Sequence, residues 1–88
     1  MAVYIVTYDL NRETSRPPIL KDIKEYPWAK LSESSYAIET SETPSQVFNR
    51  LKEHIDDNDN LYVITLKRPY AGRGPKEVND WLEPRLPY

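Results

Sequence analysis

The chain has 88 residues, with 12 Lys and Arg against 14 Asp and Glu, one histidine and no cysteine. That leaves room for one domain with a modest core, and it excludes disulfides, a Cys/His zinc site and the Ser-His and Cys-His nucleophile pairs, His54 being assigned no chemistry. A net charge of −2 argues against coating nucleic acid over the whole surface. The absence of a ~20-residue apolar run or a secretory pattern gives the expectation of a soluble, cytoplasmic protein with no membrane partner.

In chain order, Ala2 to Tyr8 is rich in β-branched and aromatic side chains, uncharged and free of Gly and Pro, which predicts a central strand stopping at Asp9. The stretch "NRETSRPPILKDIKEYP" predicts a helix. Pro17 and Pro18 fall in its first turn, Ile19, Leu20, Ile23 and Tyr26 form its stripe, and Pro27 stops it. "WAKLS" and "SYAIET" read as two strands joined by a polar turn over Ser32 to Ser34. In "TPSQVFNRLKEHI", Thr43, Pro44 and Gln46 make a capping box ahead of an apolar stripe of Val47, Phe48, Leu51 and Ile55. "NLYVITL" predicts a fourth strand, and "GPKEVNDWLE" a short last helix stopped by Pro84.

The order βαββαβ with a terminal helix predicts an α+β, ferredoxin-like sandwich with a four-stranded antiparallel sheet in the order four-one-three-two. Residues 1–68 form the expected domain. Residues 69–88 are a link and short helix that dock on the body or on a partner subunit.

This topology gathers Asp9, Asn11, Arg12, Ser32, Ser34 and the run Asp56 to Asn60 on one rim. The cluster is oxygen-rich and suits a hard divalent cation, Mg²⁺ or Mn²⁺, while the plain reading is a set of polar turns. Charge is uneven. From Glu33 to Asp59 there are seven acids against Arg50 and Lys52, whereas "KRPYAGRGPK" carries Lys67, Arg68, Arg73 and Lys76 without an acid. That basic segment reads either as a track for a phosphate backbone or as a flexible link.

Tyr4, Val6 and Tyr8 share one face of the first strand, and helices cover one face of such a sheet. A tyrosine face left open predicts a dimer interface, with an RNA-stacking platform as the alternative.

The strand ending "YD", the polar turn before "SSYAIE", and "LYVITL" resemble the Cas2 superfamily, which includes the small partner of the CRISPR integrase and the VapD and SinR-like proteins. The resemblance covers most of Met1 to Leu66. It implies a homodimer in which Asp9 of each chain faces its mate and holds a metal for phosphodiester hydrolysis. It also sets Ser34 and Tyr36 at the family's Ser-x-aromatic start of the third strand. Tyr8, Asn11, Ser34 and Tyr36 are then supporting residues, and Arg12, Lys67, Arg68 and Arg73 contact nucleic acid. The terminal helix departs from the family's fifth strand. The expected functions are a metal-dependent endonuclease on RNA or DNA, a non-catalytic dimeric scaffold for a protein or nucleic-acid complex, and a single-stranded RNA-binding module.

Overall fold

The computed structural model describes residues 1–11 and 16–88. Strands β1 (Ala2–Asp9), β2 (Trp28–Ser32), β3 (Ser35–Thr40) and β4 (Asn60–Leu66) form one antiparallel sheet. The helices are α1 (Arg16–Ile23), α2 (Pro44–Leu51, extended by a 3₁₀ turn over Lys52–His54) and α3 (Lys76–Leu82). The sheet order is β2-β3-β1-β4, which is the expected four-one-three-two read from the other edge.

Local chemistry accounts for the element boundaries. The Thr43 side chain accepts from the Gln46 amide at 3.2 Å while the Gln46 side chain accepts from the Thr43 amide at 2.8 Å, so two orphan donors of α2 are satisfied reciprocally. A register shift between Lys30 and Ser32 bends the edge strand β2. His54 Nε2 sits 2.6 Å from Asp22 Oδ2 and ties the end of α2 to α1.

The period of two in β1 sorts its residues onto two faces. Tyr4, Val6 and Tyr8 point toward α1 and α2, joining Ile19, Ile23, Val47 and Leu51 from the helices and Tyr36, Ile38 and Leu61 from the neighbouring strands. Each fully buried Leu or Ile of this kind contributes about 1.5–3 kcal/mol. On the opposite face Val3 and Ala37 meet Leu82 and Leu86. Of the two expected destinations for residues 69–88, the structure gives the chain's own sheet, which α3 covers over part of its second face.

Arg68 fastens that layer. Its Nε donates to the Leu86 carbonyl at 3.0 Å, Nη1 donates to Glu83 Oε1 at 2.9 Å, and Nη2 donates to the Glu83 carbonyl. The Tyr70 hydroxyl donates to Glu83 Oε2 at 2.8 Å. These two donors, Tyr70 first and Arg68 second, hold the Glu83 carboxyl below its ordinary value of 4.5. A carboxyl lowered by folding stabilises the folded state above its unfolded pKa, and that contribution disappears as pH falls through the lowered value. Acidification from pH 6 through the range below 4.5 is therefore expected to loosen the tail, read from Trp81 fluorescence. Glu83→Gln should abolish that pH-dependent step while leaving the far-ultraviolet spectrum unchanged.

Candidate functional site at the Asp9 rim

Asp9 closes the central strand. Its backbone pairs with Asn60 at the start of β4, and both residues are exposed on the sheet face opposite α1 and α2. The Asp9 carboxylate makes no hydrogen bond or ion pair with any described residue. The face it borders is only part covered: Ile5 and Thr7 are half-buried, while Ile64 and Tyr62 are 53% and 61% exposed. Ladder pairing places Ile5 beside Ile64 and Thr7 beside Tyr62, so these four form one contiguous open patch ending at Asp9 and Asn60.

The acidic run behind the rim has structural work. Asp59 is buried, and its Oδ1 accepts the Asn11 amide at 2.6 Å while its Oδ2 accepts the Asp56 amide at 2.9 Å. The Asn11 side-chain amide donates to the Asn58 carbonyl at 2.7 Å. Asx chemistry thus closes the β4 entry loop and pins the chain just after Asp9, in keeping with the turn reading of Asp56 to Asn60. Among the described residues no three His, Cys, Asp or Glu side chains converge as a metal-binding group.

The other expected site residues divide clearly. Asn11 reaches the rim as expected. Ser34 is also at this end, its carbonyl accepting the Tyr8 amide at 3.0 Å. Arg12 lies outside the described residues. Tyr36 does not reach the site, because it is buried under the helices with its ring 5.7 Å from that of Trp28.

Tyr4 and Tyr8 are corrected as dimer-interface residues and as a stacking platform. Both are 4% exposed, and their rings fill the helix-side core. Their hydroxyls leave that core at its edge, Tyr4 donating to the Glu42 carbonyl at 2.5 Å and Tyr8 to the Glu33 carbonyl at 3.3 Å. A phenol that can vent its hydroxyl to a backbone carbonyl is buried at little polar cost. Glu42 serves a second tyrosine, its carboxylate accepting from Tyr26, whose own pKa is raised by burial and then by this carboxylate.

Lys67 and Arg68 follow the far end of β4 and are not placed to position a strand at Asp9 of the same chain, while Arg73 is exposed in the segment before α3. Strand β4 begins opposite Asp9 at Asn60 and ends opposite Val3 at Leu66, so Lys67 stands about 24 Å away at ~3.4 Å per residue. Arg68 is moreover committed to Glu83 and Leu86. The open patch of Ile5, Thr7, Tyr62 and Ile64 was missed. The signal for it was Asp9 itself, which shares its phase along β1 with Val3, Ile5 and Thr7 and so marks the wet face.

Fold and rim together define a small α+β protein with a four-stranded antiparallel sheet, helices on both faces, and an exposed carboxylate at the end of its central strand. No protein-family model and no curated protein matches the chain. Among solved structures it is similar to a hypothetical protein, TT1823, from Thermus thermophilus, with 20% identity and a TM-score of 0.66 over 84% of this chain and 94% of that one. At that identity the likeness concerns the fold alone.

Proposed function

We propose that this is a ferredoxin-like, Cas2-like cytoplasmic protein that acts as a homodimer on nucleic acid, cleaving phosphodiester bonds at a divalent-cation site formed by two Asp9 carboxylates. The observation that carries the reading is the position of Asp9: exposed, without a partner among the described residues, and at the end of an open patch that contains Tyr62 and Ile64. The strand order supports the ferredoxin-like assignment.

A second copy laid face to face on Ile5, Thr7, Tyr62 and Ile64 buries apolar surface that a small monomer has reason to cover. It also brings the two Asp9 rims toward a common axis. The donors available there, Asp9 with Asn60 beside it, are oxygen only, which fits Mg²⁺ or Mn²⁺, and one chain alone supplies too few of them. A cation held between the two carboxylates would supply an activated water and offset phosphate charge. The chain's own part is to fix the carboxylates, through the β1–β4 ladder on one side and the Asp59–Asn11 clasp on the other.

One observation favours a second reading, a non-catalytic dimeric scaffold. The buried carboxylate of the neighbouring loop, that of Asp59, already accepts two backbone amides. Turnover separates the two readings. Labelled single- and double-stranded RNA and DNA, incubated with Mg²⁺ or Mn²⁺, should be cleaved by the wild type and not in the presence of chelator. The double variant Tyr62→Asp, Ile64→Asp should run as a folded monomer without cleavage. A chelator-insensitive signal, or a fully active monomeric variant, overturns the proposal; a wild-type dimer with no cleavage of any substrate leaves the scaffold.

A further inference from the structure

The strap that leads from β4 to α3 encloses a cavity of about 340 Å³. Leu31, Leu66, Val78, Leu82 and Leu86 supply its apolar lining, and residues 71–75 also line it. Two of these side chains keep solvent contact that packing would normally remove: Leu31 is 37% exposed and Val78 is half-buried. The cavity is also lined by Lys67 and Arg73, both exposed, and neither makes an ion pair or hydrogen bond with a described residue. Other cations of this layer are occupied, Arg68 by Glu83, Lys76 by Asp80, and Arg85 by Glu39.

We propose that this cavity is a binding site for a small amphipathic carboxylate, its apolar body lodged among Leu31, Leu66, Val78 and Leu82 and its carboxylate met by Lys67 and Arg73. An apolar pocket with a few convergent polar groups is the usual form of a small-molecule site. At roughly 30 Å³ per heavy atom, water's share of liquid volume, there is room for about ten atoms of ligand. Lys67 and Arg73, exposed in the lining and without a partner among the described residues, select a negative end.

A nucleobase is the poorer occupant. Most of its edge donors and acceptors would face leucine and valine, Asn79 being the amide side chain in the lining, and the Tyr70 hydroxyl is already given to Glu83. The site lies at the far end of β4 from Asp9, so it is independent of the proposed nucleic-acid reading.

The test is titration of the full chain with decanoate and, separately, decanol, followed by backbone amide shifts and by calorimetry. Decanoate should bind saturably, one per chain, with shifts centred on Leu31, Leu66, Val78 and Leu82, and about tenfold more tightly than decanol. The double variant Lys67→Ala, Arg73→Ala changes only exposed side chains and should fold. It should weaken decanoate about tenfold and leave decanol unchanged. Leu31→Glu, on the exposed edge strand, should also expel decanoate. No saturable binding, equal affinity for acid and alcohol, shifts centred on Tyr62 and Ile64 instead, or full affinity in the double variant would each overturn the proposal.

Discussion

Asp59→Ala is expected to destabilise the fold by about 2–4 kcal/mol, against a variant Asp59→Asn that costs about half as much. The aspartate is buried and accepts the amides of Asn11 and Asp56 through separate oxygens. Hydrogen bonds to a charged acceptor are each worth about 1.5–3 kcal/mol, and the total falls short of two full bonds because the freed amides, near the surface, regain water. Asparagine keeps the shape and one accepting oxygen but presents an amino group to the other amide. For a domain of this size about 1 kcal/mol moves Tm by roughly 4–8 °C, so the alanine variant should melt at least about 8 °C lower. Thermal unfolding by circular dichroism measures this. Because the same contacts pin Asn11, amide shifts in Asp59→Ala should extend to Asp9 across the rim.

Asp9→Asn is the opposite case. The carboxylate is exposed and has no partner among the described residues, so the substitution should leave stability within about 0.5 kcal/mol of the wild type. On the proposed reading it should reduce nucleic-acid cleavage at least about a hundredfold, since a neutral amide neither holds a hard cation nor offsets its charge. Loss of activity with no loss of stability is the pattern of a residue kept for chemistry. A similar loss of both would make Asp9 a structural residue of the turn.

Most of the architecture was legible because its signals are local. The Thr43–Gln46 capping box, the paired prolines opening α1, and the two short strands around Glu33 and Ser34 each state their structure within a few residues. The Asp56–Asn60 turn was legible for the same reason, as Asp and Asn bond to nearby backbone in any fold. What failed was phase. Both faces of β1 are apolar, so composition did not say which set of alternate residues met the helices, and the tyrosines were given to the open side.

The decision lies in tertiary geometry. Tyr4 and Tyr8 are buried with their hydroxyls donating to the Glu42 and Glu33 carbonyls at the edge of the core. The fate of Arg68 was hidden likewise, since its partners Glu83 and Leu86 meet it only once the tail folds back. A basic residue in a Gly- and Pro-punctuated segment looks free until its acceptors are placed.

The shared Asp9 site is tested most directly by the stoichiometry of Mn²⁺ binding, followed by electron paramagnetic resonance on protein of verified oligomeric state. A cation shared by two Asp9 carboxylates gives one bound ion per two chains in the wild type, and none in Asp9→Asn at unchanged dimer content. One ion per chain, or binding that survives in Asp9→Asn, would contradict a site built from two Asp9 carboxylates.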